Sequence, residues 1–153
     1  IIQLNKSIKS LNLHNLYMSL TIAELAADGI RYISAGMPPV YVYRKSLKKA
    51  EMVISKSMPL GAFANFEYTI QKIDLEPGDI CVFVTDGLTE LFNINREILG
   101  IERTREIVEH ILEKYPVSEF SARLFNEVET WGGGEINDDI TVLLLEYRGN
   151  ELH

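Results

Sequence analysis

The sequence has few of the features that mark secreted or membrane-spanning proteins. Cys81 is the only cysteine among 153 residues, so no disulfide can form within the chain. It stands inside an apolar run, Ile80–Val84, which predicts a buried and unreactive thiol. No run approaches the roughly 18 consecutive apolar residues that cross a bilayer, and no signal-peptide pattern opens the chain. We therefore expect a cytoplasmic protein with no membrane span in this segment.

Positive charge is also scarce. The chain carries 22 acidic and 15 basic side chains, which gives a formal net charge of −7. This balance opposes attraction to the phosphate backbone of nucleic acids. The one dense basic cluster, at residues 44–49, lies between two apolar runs and fits a solvated turn. No nucleic-acid partner is expected.

Length and composition are those of one globular domain, since 46% of the residues are hydrophobic and 24% are charged. The apolar pattern ends near residue 148, so we expect a domain at 1–148 and a tail at 149–153. The first residue is Ile1 and not Met. We therefore expect the chain to begin inside a larger polypeptide.

Hydrophobic periodicity predicts helices and strands along most of the chain. Apolar residues at three- and four-residue spacing predict helices at three places: 1–11, 101–112 and 118–131. Alternating or continuous apolar runs predict six strands: 17–25, a return strand at 30–43 that is interrupted at 36–39, 51–55, 66–73, 80–84 and 140–145. The runs at 80–84 and 140–145 lack polar alternation, which indicates strands that are buried.

The order of these elements decides the fold class. Five strands follow one another, and the sixth is reached through the two later helices. Repeated strand–helix–strand units do not fit this order. The sequence therefore predicts an α+β fold in layers.

Acidic residues stand where two of the apolar strands meet a loop. Asp86 comes directly after the strand at 80–84, and Asp138 and Asp139 come directly before the strand at 140–145. Carboxylates held at the ends of buried strands suit hard divalent cations such as Mg²⁺ or Mn²⁺. Taken alone, each group is better explained as a turn, or for Asp86 as the start of a short helix.

Other catalytic arrangements find little support. A phosphohydrolase with an aspartate nucleophile needs a second acid two residues later, where this chain has Leu88. Gly132–Gly134 lacks the following Lys and Ser or Thr of a phosphate-binding loop. No serine stands in a nucleophile elbow, and none of the three histidines is an obvious general base.

Five segments occur in an order that resembles the metal-dependent protein phosphatase (PPM, protein phosphatase 2C) superfamily. The closest branch is the one that contains stage II sporulation protein E and the RsbU-type regulators of sigma factors. The segments are Ser-Ala-Gly-Met-Pro-Pro at 34–39, Met-Pro-Leu-Gly at 58–61, Leu-Glu-Pro-Gly-Asp at 75–79, Thr-Asp-Gly-Leu-Thr-Glu at 85–90 and Asp-Asp-Ile-Thr at 138–141. Each is common by itself, but all five in order are specific.

The resemblance implies a fold, a site and a cofactor. The fold would be a layered α-β-β-α sandwich of two mainly antiparallel sheets, with its N-terminal strands missing from this chain. Asp86 and Asp138 would be the catalytic metal ligands, and Asp139 would occupy the position beside the second ligand. Gly87 and Thr141 match motif positions and would support the geometry. The cofactor would be a pair of Mn²⁺ or Mg²⁺ ions.

Two departures from the family pattern limit what is carried over. Met37 stands where the branch usually has a histidine, and a thioether binds hard cations poorly. The family's Asp-Gly element, which bridges both metals, lies upstream of Ile1, and Asp28-Gly29 belongs to a predicted hairpin instead. We therefore expect an incomplete metal site. Missing strands would also expose strand edges, so we expect an oligomer or a piece of a longer chain.

Two functions follow as hypotheses. In the first, a metal-activated water hydrolyses phosphoserine or phosphothreonine on a regulatory protein, such as an anti-sigma-factor antagonist, under the control of an upstream sensor domain. In the second, the chain is a catalytically inactive pseudophosphatase, or a fragment that acts as a protein-binding module.

Overall fold

The computed structural model describes residues 1–12, 16–133, 136 and 138–149. Its elements in chain order are α1 (Ile2–Ser10), β1 (Leu20–Ala26), β2 (Gly29–Ala35), β3 (Val40–Arg44), β4 (Lys49–Val53), β5 (Gln71–Asp74), β6 (Ile80–Val84), α2 (Asp86–Thr89), α3 (Gly100–Lys114), a 3₁₀ turn (Val117–Glu119), α4 (Phe120–Gly132) and β7 (Val142–Glu146). No helix in these described residues is long and apolar enough to cross a membrane.

The chain divides into two compact units. The first unit comprises Ile1–Met37 and Ser55–Leu75, and the second comprises Pro38–Ile54 and Glu76–His153. The first contains an antiparallel sheet in the order β1-β2-β5, and the second contains an antiparallel sheet in the order β4-β3-β6-β7. The prediction of an α+β fold with two antiparallel sheets is confirmed.

In the first unit, α1 is attached to the loop at 58–66 through a buried polar residue. Asn5 is fully buried, and its amide nitrogen donates to the carbonyl of Phe63 at 2.8 Å. Its side-chain oxygen accepts from the backbone N–H of Gly61 at 2.8 Å. The predicted helix is confirmed, but two of its predicted inward residues, Leu4 and Leu11, are exposed while Asn5 is buried. These hydrogen bonds satisfy the Asn5 amide and offset the free-energy cost of removing it from water.

In the second unit, α3 and α4 share one hydrophobic core with the sheet. That core joins strand residues, residues after β6 and helix residues, among them Tyr41, Val82, Leu88, Val108 and Phe120. β6 lies between β3 and β7, as predicted for the run at 80–84. Cys81 is buried on this strand, and burial raises the pKa of its thiol to about 12. The prediction of a buried cysteine is therefore confirmed.

Three strand predictions need correction. The run at 30–43 is two strands in different sheets, because Gly36 turns the chain at φ +71° and the two prolines after it have no N–H for a ladder. The strand predicted at 66–73 is reduced to β5, since its pairing with β2 ends at Tyr32 and Gln71. The last strand, β7, is not fully buried: it is a sheet edge, and Leu143 is 55% exposed.

A buried carboxylate holds the turn before β6. The side chain of Asp79 is 2% exposed and accepts from Arg44 Nη1 at 2.8 Å. It also accepts from the backbone N–H groups of Lys45 at 3.0 Å and Glu76 at 3.2 Å. The Glu-Pro-Gly-Asp turn is therefore joined to the β3–β4 hairpin by one side chain.

We expect Asp79→Ala to lower the free energy of unfolding by about 2 to 3 kcal/mol, because Arg44 and two backbone N–H groups lose a buried acceptor. Urea denaturation at neutral pH measures this change. The control is Asp74→Ala, since the Asp74 side chain is 78% exposed and solvent screens its ion pair with Lys72. Equal losses in the two variants would contradict the role assigned to Asp79.

Candidate functional site

The register of β6 and β7 brings the acidic segments to one end of the sheet. Val84, the last residue of β6, is paired with Val142, the first residue of β7. Asp86 follows Val84 by two residues, and Asp138 and Asp139 precede Val142 by four and three. Because the strands are antiparallel, the segments that carry these aspartates leave the sheet side by side.

Thr85 joins the two segments beyond the end of the ladder. Its backbone N–H donates to the carbonyl of Thr141 at 3.1 Å, and its hydroxyl accepts from the N–H of Thr141 at 2.9 Å. The same hydroxyl donates to the carbonyl of Asp139 at 3.1 Å. The hydroxyl thus accepts the bond that a backbone carbonyl would accept in a continuing ladder. The main chain of Thr85 is released to turn into α2.

Gly87 allows the two segments to approach closely. A Cβ added at Gly87 would overlap the backbone carbonyl oxygen of Asp139 and would lie 3.5 Å from the carbonyl carbon of Asp138. Gly87 itself is buried. Only glycine fits this contact without moving the backbone of the Asp138–Asp139 segment.

The three carboxylates lie at the surface. Asp86 is the first residue of α2, and its Oδ1 accepts from the N–H of Gly87 at 3.2 Å. Asp138 Oδ1 accepts from the N–H of Asp139 at 2.8 Å. All three residues are exposed, and no lysine, arginine or histidine within the described ranges forms an ion pair with them. Their oxygens are therefore accessible to a ligand from solution.

The donor chemistry fits a hard divalent cation, since exposed carboxylate oxygens are the ligands that Mg²⁺ and Mn²⁺ prefer. The number of donors is small, however. Among the residues that the structure describes, no group of three or more His, Cys, Asp or Glu side chains is placed to hold a metal ion. Asp86, Asp138 and Asp139 are therefore not placed as a complete set of ligands for one ion.

A cavity of about 430 Å³ lies beside the second acidic segment. Asp138 and Asp139 line it together with apolar residues of α4 and of the start of β7, including Phe125, Val128 and Val142. No basic side chain lines it. The acidic segment therefore adjoins an apolar surface.

Met37 and Asp28 both lie in the first unit. Met37 is half-buried there, two residues after the end of β2. Asp28 occupies the β1–β2 turn, as the hairpin prediction requires, and accepts an ion pair from Lys72 at 2.8 Å. A hydrogen bond and the charge of Lys72 lower the pKa of Asp28.

Thr85 is the residue whose role at the site sequence reasoning missed. Its motif position was noted, but no function was predicted for its hydroxyl. The available signal was its place directly after a buried strand and directly before Asp86. Its partners, Asp139 and Thr141, lie 54 and 56 residues away, so only the strand register reveals the contact.

A family model described as stage II sporulation protein E (SpoIIE) matches residues 1–148. The chain belongs to the SpoIIE family. Protein IcfG from Synechocystis sp. is 26% identical over 85 residues, which are 56% of this chain and 13% of IcfG. The chain therefore spans only a small part of that relative.

Solved structures share the fold of this SpoIIE-family chain. The phosphatase domain of the cell fate determinant SpoIIE from Bacillus subtilis, presoaked with Mn, matches at a TM-score of 0.70 and 20% identity, over 99% of this chain and 67% of that one. The RsbU and RsbW domains of Rv1364c from Mycobacterium tuberculosis match at a TM-score of 0.75 and 21% identity, over 94% of this chain and 40% of that one.

We expect Gly87→Ala to destabilise the chain by about 1 to 3 kcal/mol, because the new methyl group must displace the backbone of Asp139. Thermal unfolding measures the loss. Gly132→Ala is the matched control, since a Cβ at Gly132 meets Leu91 Cδ1 at an ordinary 3.6 Å and alanine favours a helix. If Gly87→Ala is as stable as Gly132→Ala, the close approach at Gly87 is not a constraint.

Proposed function

We propose that this chain is part of a protein phosphatase that hydrolyses phosphoserine or phosphothreonine with a water activated by Mn²⁺ or Mg²⁺. The observation that carries the proposal is the junction of Asp86 and Asp138 at the shared end of β6 and β7, in a chain of the SpoIIE family. Support also comes from the B. subtilis relative, whose solved structure is a phosphatase domain presoaked with Mn.

In this proposal the acidic side chains have distinct roles. Asp86 and Asp138 would be metal ligands and catalytic residues, and Asp139 would contribute as a third ligand beside Asp138. A pair of bound ions would make water nucleophilic at neutral pH and would neutralise charge on the phosphoryl oxygens. Because no group of three or more His, Cys, Asp or Glu side chains among the described residues is placed to hold an ion, the remaining donors would come from outside these residues.

The neutral residues of the site would position these acids. The Thr85 hydroxyl, directly after β6, forms hydrogen bonds to Asp139 and Thr141, which precede β7. Gly87 allows the Asp139 backbone to pack against α2. The carboxylates lie at the surface and not in a deep pocket. An exposed site of this kind suits a phosphorylated side chain presented by a protein better than a small buried substrate.

We further propose that the substrate is a phosphorylated regulatory protein of the anti-sigma-factor antagonist class, and that an upstream sensor domain controls the reaction in the cytoplasm. The proposal rests on the family and on the M. tuberculosis relative, in which an RsbU domain and an RsbW domain occur together. We place the end of the catalytic domain at residue 148 and treat 149–153 as a tail.

The alternative, a catalytically inactive binding module, has Met37 in its favour, because a histidine usually stands at that position in this branch. It receives less support from the site. An inactive module has no need for the glycine and the threonine that hold Asp86 next to the Asp138–Asp139 segment.

We expect Asp86→Asn and Asp138→Asn each to reduce turnover of a phosphoserine peptide by about a hundredfold or more, because each removes charge from a metal ligand. The assay uses the intact polypeptide that contains this chain, with Mn²⁺. Glu129→Gln is the control, since Glu129 is an exposed acid on α4 away from the motifs, and we expect it to keep full activity. Full activity in both aspartate variants would refute their assignment, and an inactive parent protein would favour the binding module.

The exposed edge of the second sheet leads us to propose that the chain self-associates. β7 is paired only with β6 among the described residues. Leu143 on β7 is 55% exposed, and Phe125 on the neighbouring α4 is 53% exposed. Unpaired edges with apolar side chains favour association with another strand.

We expect the chain to elute as an oligomer in size-exclusion chromatography with light scattering, and Leu143→Lys to shift it toward the monomer. A charge on the edge strand opposes strand pairing between molecules. Leu47→Lys is the matched control, because Leu47 is 68% exposed in the β3–β4 turn and away from the edge. A parent chain that is a stable monomer at all concentrations would contradict the proposal.

A further inference from the structure

The single tryptophan of the chain connects the end of α4 with the segment after Asp86. It lies at the end of α4, seven residues before Asp138. The indole N–H of Trp131 donates to the backbone carbonyl of Leu91 at 3.1 Å. This hydrogen bond joins residues 40 positions apart in the sequence.

Leu91 is in turn closely attached to Asp86. The N–H of Glu90 donates to the carbonyl of Asp86 at 2.7 Å, and the N–H of Leu91 donates to the carbonyl of Leu88 at 3.4 Å. Leu91 is only 2% exposed. One short helical turn therefore separates the carbonyl that Trp131 binds from the proposed metal ligand Asp86.

The Leu91 carbonyl accepts a second hydrogen bond, from the N–H of Leu99 at 2.8 Å. A carbonyl oxygen has two lone pairs, so Trp131 and Leu99 together satisfy it. This one oxygen therefore joins a residue after α2, the residue before α3 and a residue at the end of α4. A displacement of the end of α4 would therefore disturb a hydrogen bond directly after α2.

The indole ring is held from another direction by a cation. The guanidinium carbon of Arg103 lies 4.2 Å from the ring centroid, within the range of a cation–π interaction. Gly132 and Gly133 follow, and an added Cβ at Gly132 would lie 3.6 Å from Leu91 Cδ1. An added Cβ at Gly133 would lie 2.7 Å from Ile94 Cγ2. The end of α4 therefore lies against residues that follow α2.

We propose that Trp131 is a positioning residue for the metal site. Its hydrogen bond to Leu91 anchors the end of α4 to the segment that carries Asp86. Thr85 joins the same segment to Asp139 at the strand end, so Asp86 lies between two anchored residues, Thr85 and Leu91. This inference rests on the proposed function, because it assigns Trp131 to the alignment of the ligands of that same site.

The competing explanation is that Trp131 only fills the core, since it packs against the hydrophobic cluster of the second unit. The two explanations differ in what the N–H contributes. Trp131→Phe keeps an aromatic ring for Arg103 and for the core but removes the donor to Leu91. Arg103→Met is the matched control, because it removes the cation from the ring and leaves the hydrogen bond intact.

The test is the affinity of the intact polypeptide for Mn²⁺, measured by calorimetry, with thermal unfolding recorded for every variant. We expect Trp131→Phe to weaken Mn²⁺ binding about tenfold, the low end of the loss that follows removal of a group that orients a ligand, because the Asp86 segment loses its anchor to α4. Turnover at saturating Mn²⁺ should be retained, because the ligands themselves are unchanged. Arg103→Met should lower the melting temperature and leave the Mn²⁺ affinity unchanged.

The outcomes separate this inference from the proposed function. If the parent binds Mn²⁺, Asp86→Asn abolishes binding and Trp131→Phe leaves the affinity unchanged, only the role of Trp131 is overturned. If the parent binds no Mn²⁺, the proposed function and this inference fall together. Should Trp131→Phe not fold, the parent labelled with 5-fluorotryptophan decides: the ¹⁹F resonance of Trp131 must shift on addition of diamagnetic Mg²⁺, and an unmoved resonance overturns the inference.

Discussion

The pairing of β6 with β7 is the constraint on which the candidate site depends. The ladder ends at Val84 and Val142, and the Thr85 hydroxyl continues it for one more residue. Because the hydroxyl takes the place of the Thr85 carbonyl as acceptor, the backbone of Thr85 is free to turn into α2. Asp86 therefore follows beside the segment that carries Asp138 and Asp139. A slip of one residue in this register would turn every side chain of β7 to the opposite face and separate the acids.

Two kinds of contact then hold the acidic segments in place. Backbone contacts at Gly87 and Thr85 act at the strand ends, where no side chain longer than a hydroxyl separates the two segments. Helix packing acts from the other side, where Trp131 reaches the Leu91 carbonyl. The acids themselves lie at the surface and contribute little to these contacts. The residues that hold the two segments together are therefore different from the acids that are proposed to bind metal.

Much of the secondary structure could be predicted from local pattern, because helices and buried strands leave periodic apolar signals. The helix at 1–11 and the central strand at 80–84 are examples, although the inward face of that helix centres on Asn5, whose burial depends on hydrogen bonds to residues 56 to 59 positions away. The strand predicted at 66–73 was too long because its alternating pattern extends beyond the four residues that pair with β2. The run at 30–43 forms two strands in different sheets, and apolar periodicity does not indicate which sheet a strand joins.

The sequence alone indicated the family through five ordered motifs, and the same motifs single out Asp86, Asp138 and Asp139 as the candidates for metal binding. Their role as ligands stays a prediction. Only the tertiary structure decided that Thr85 and Trp131 matter to the site. Both act through hydrogen bonds to residues 40 to 56 positions away, and such pairings depend on strand register and helix packing that no local pattern encodes.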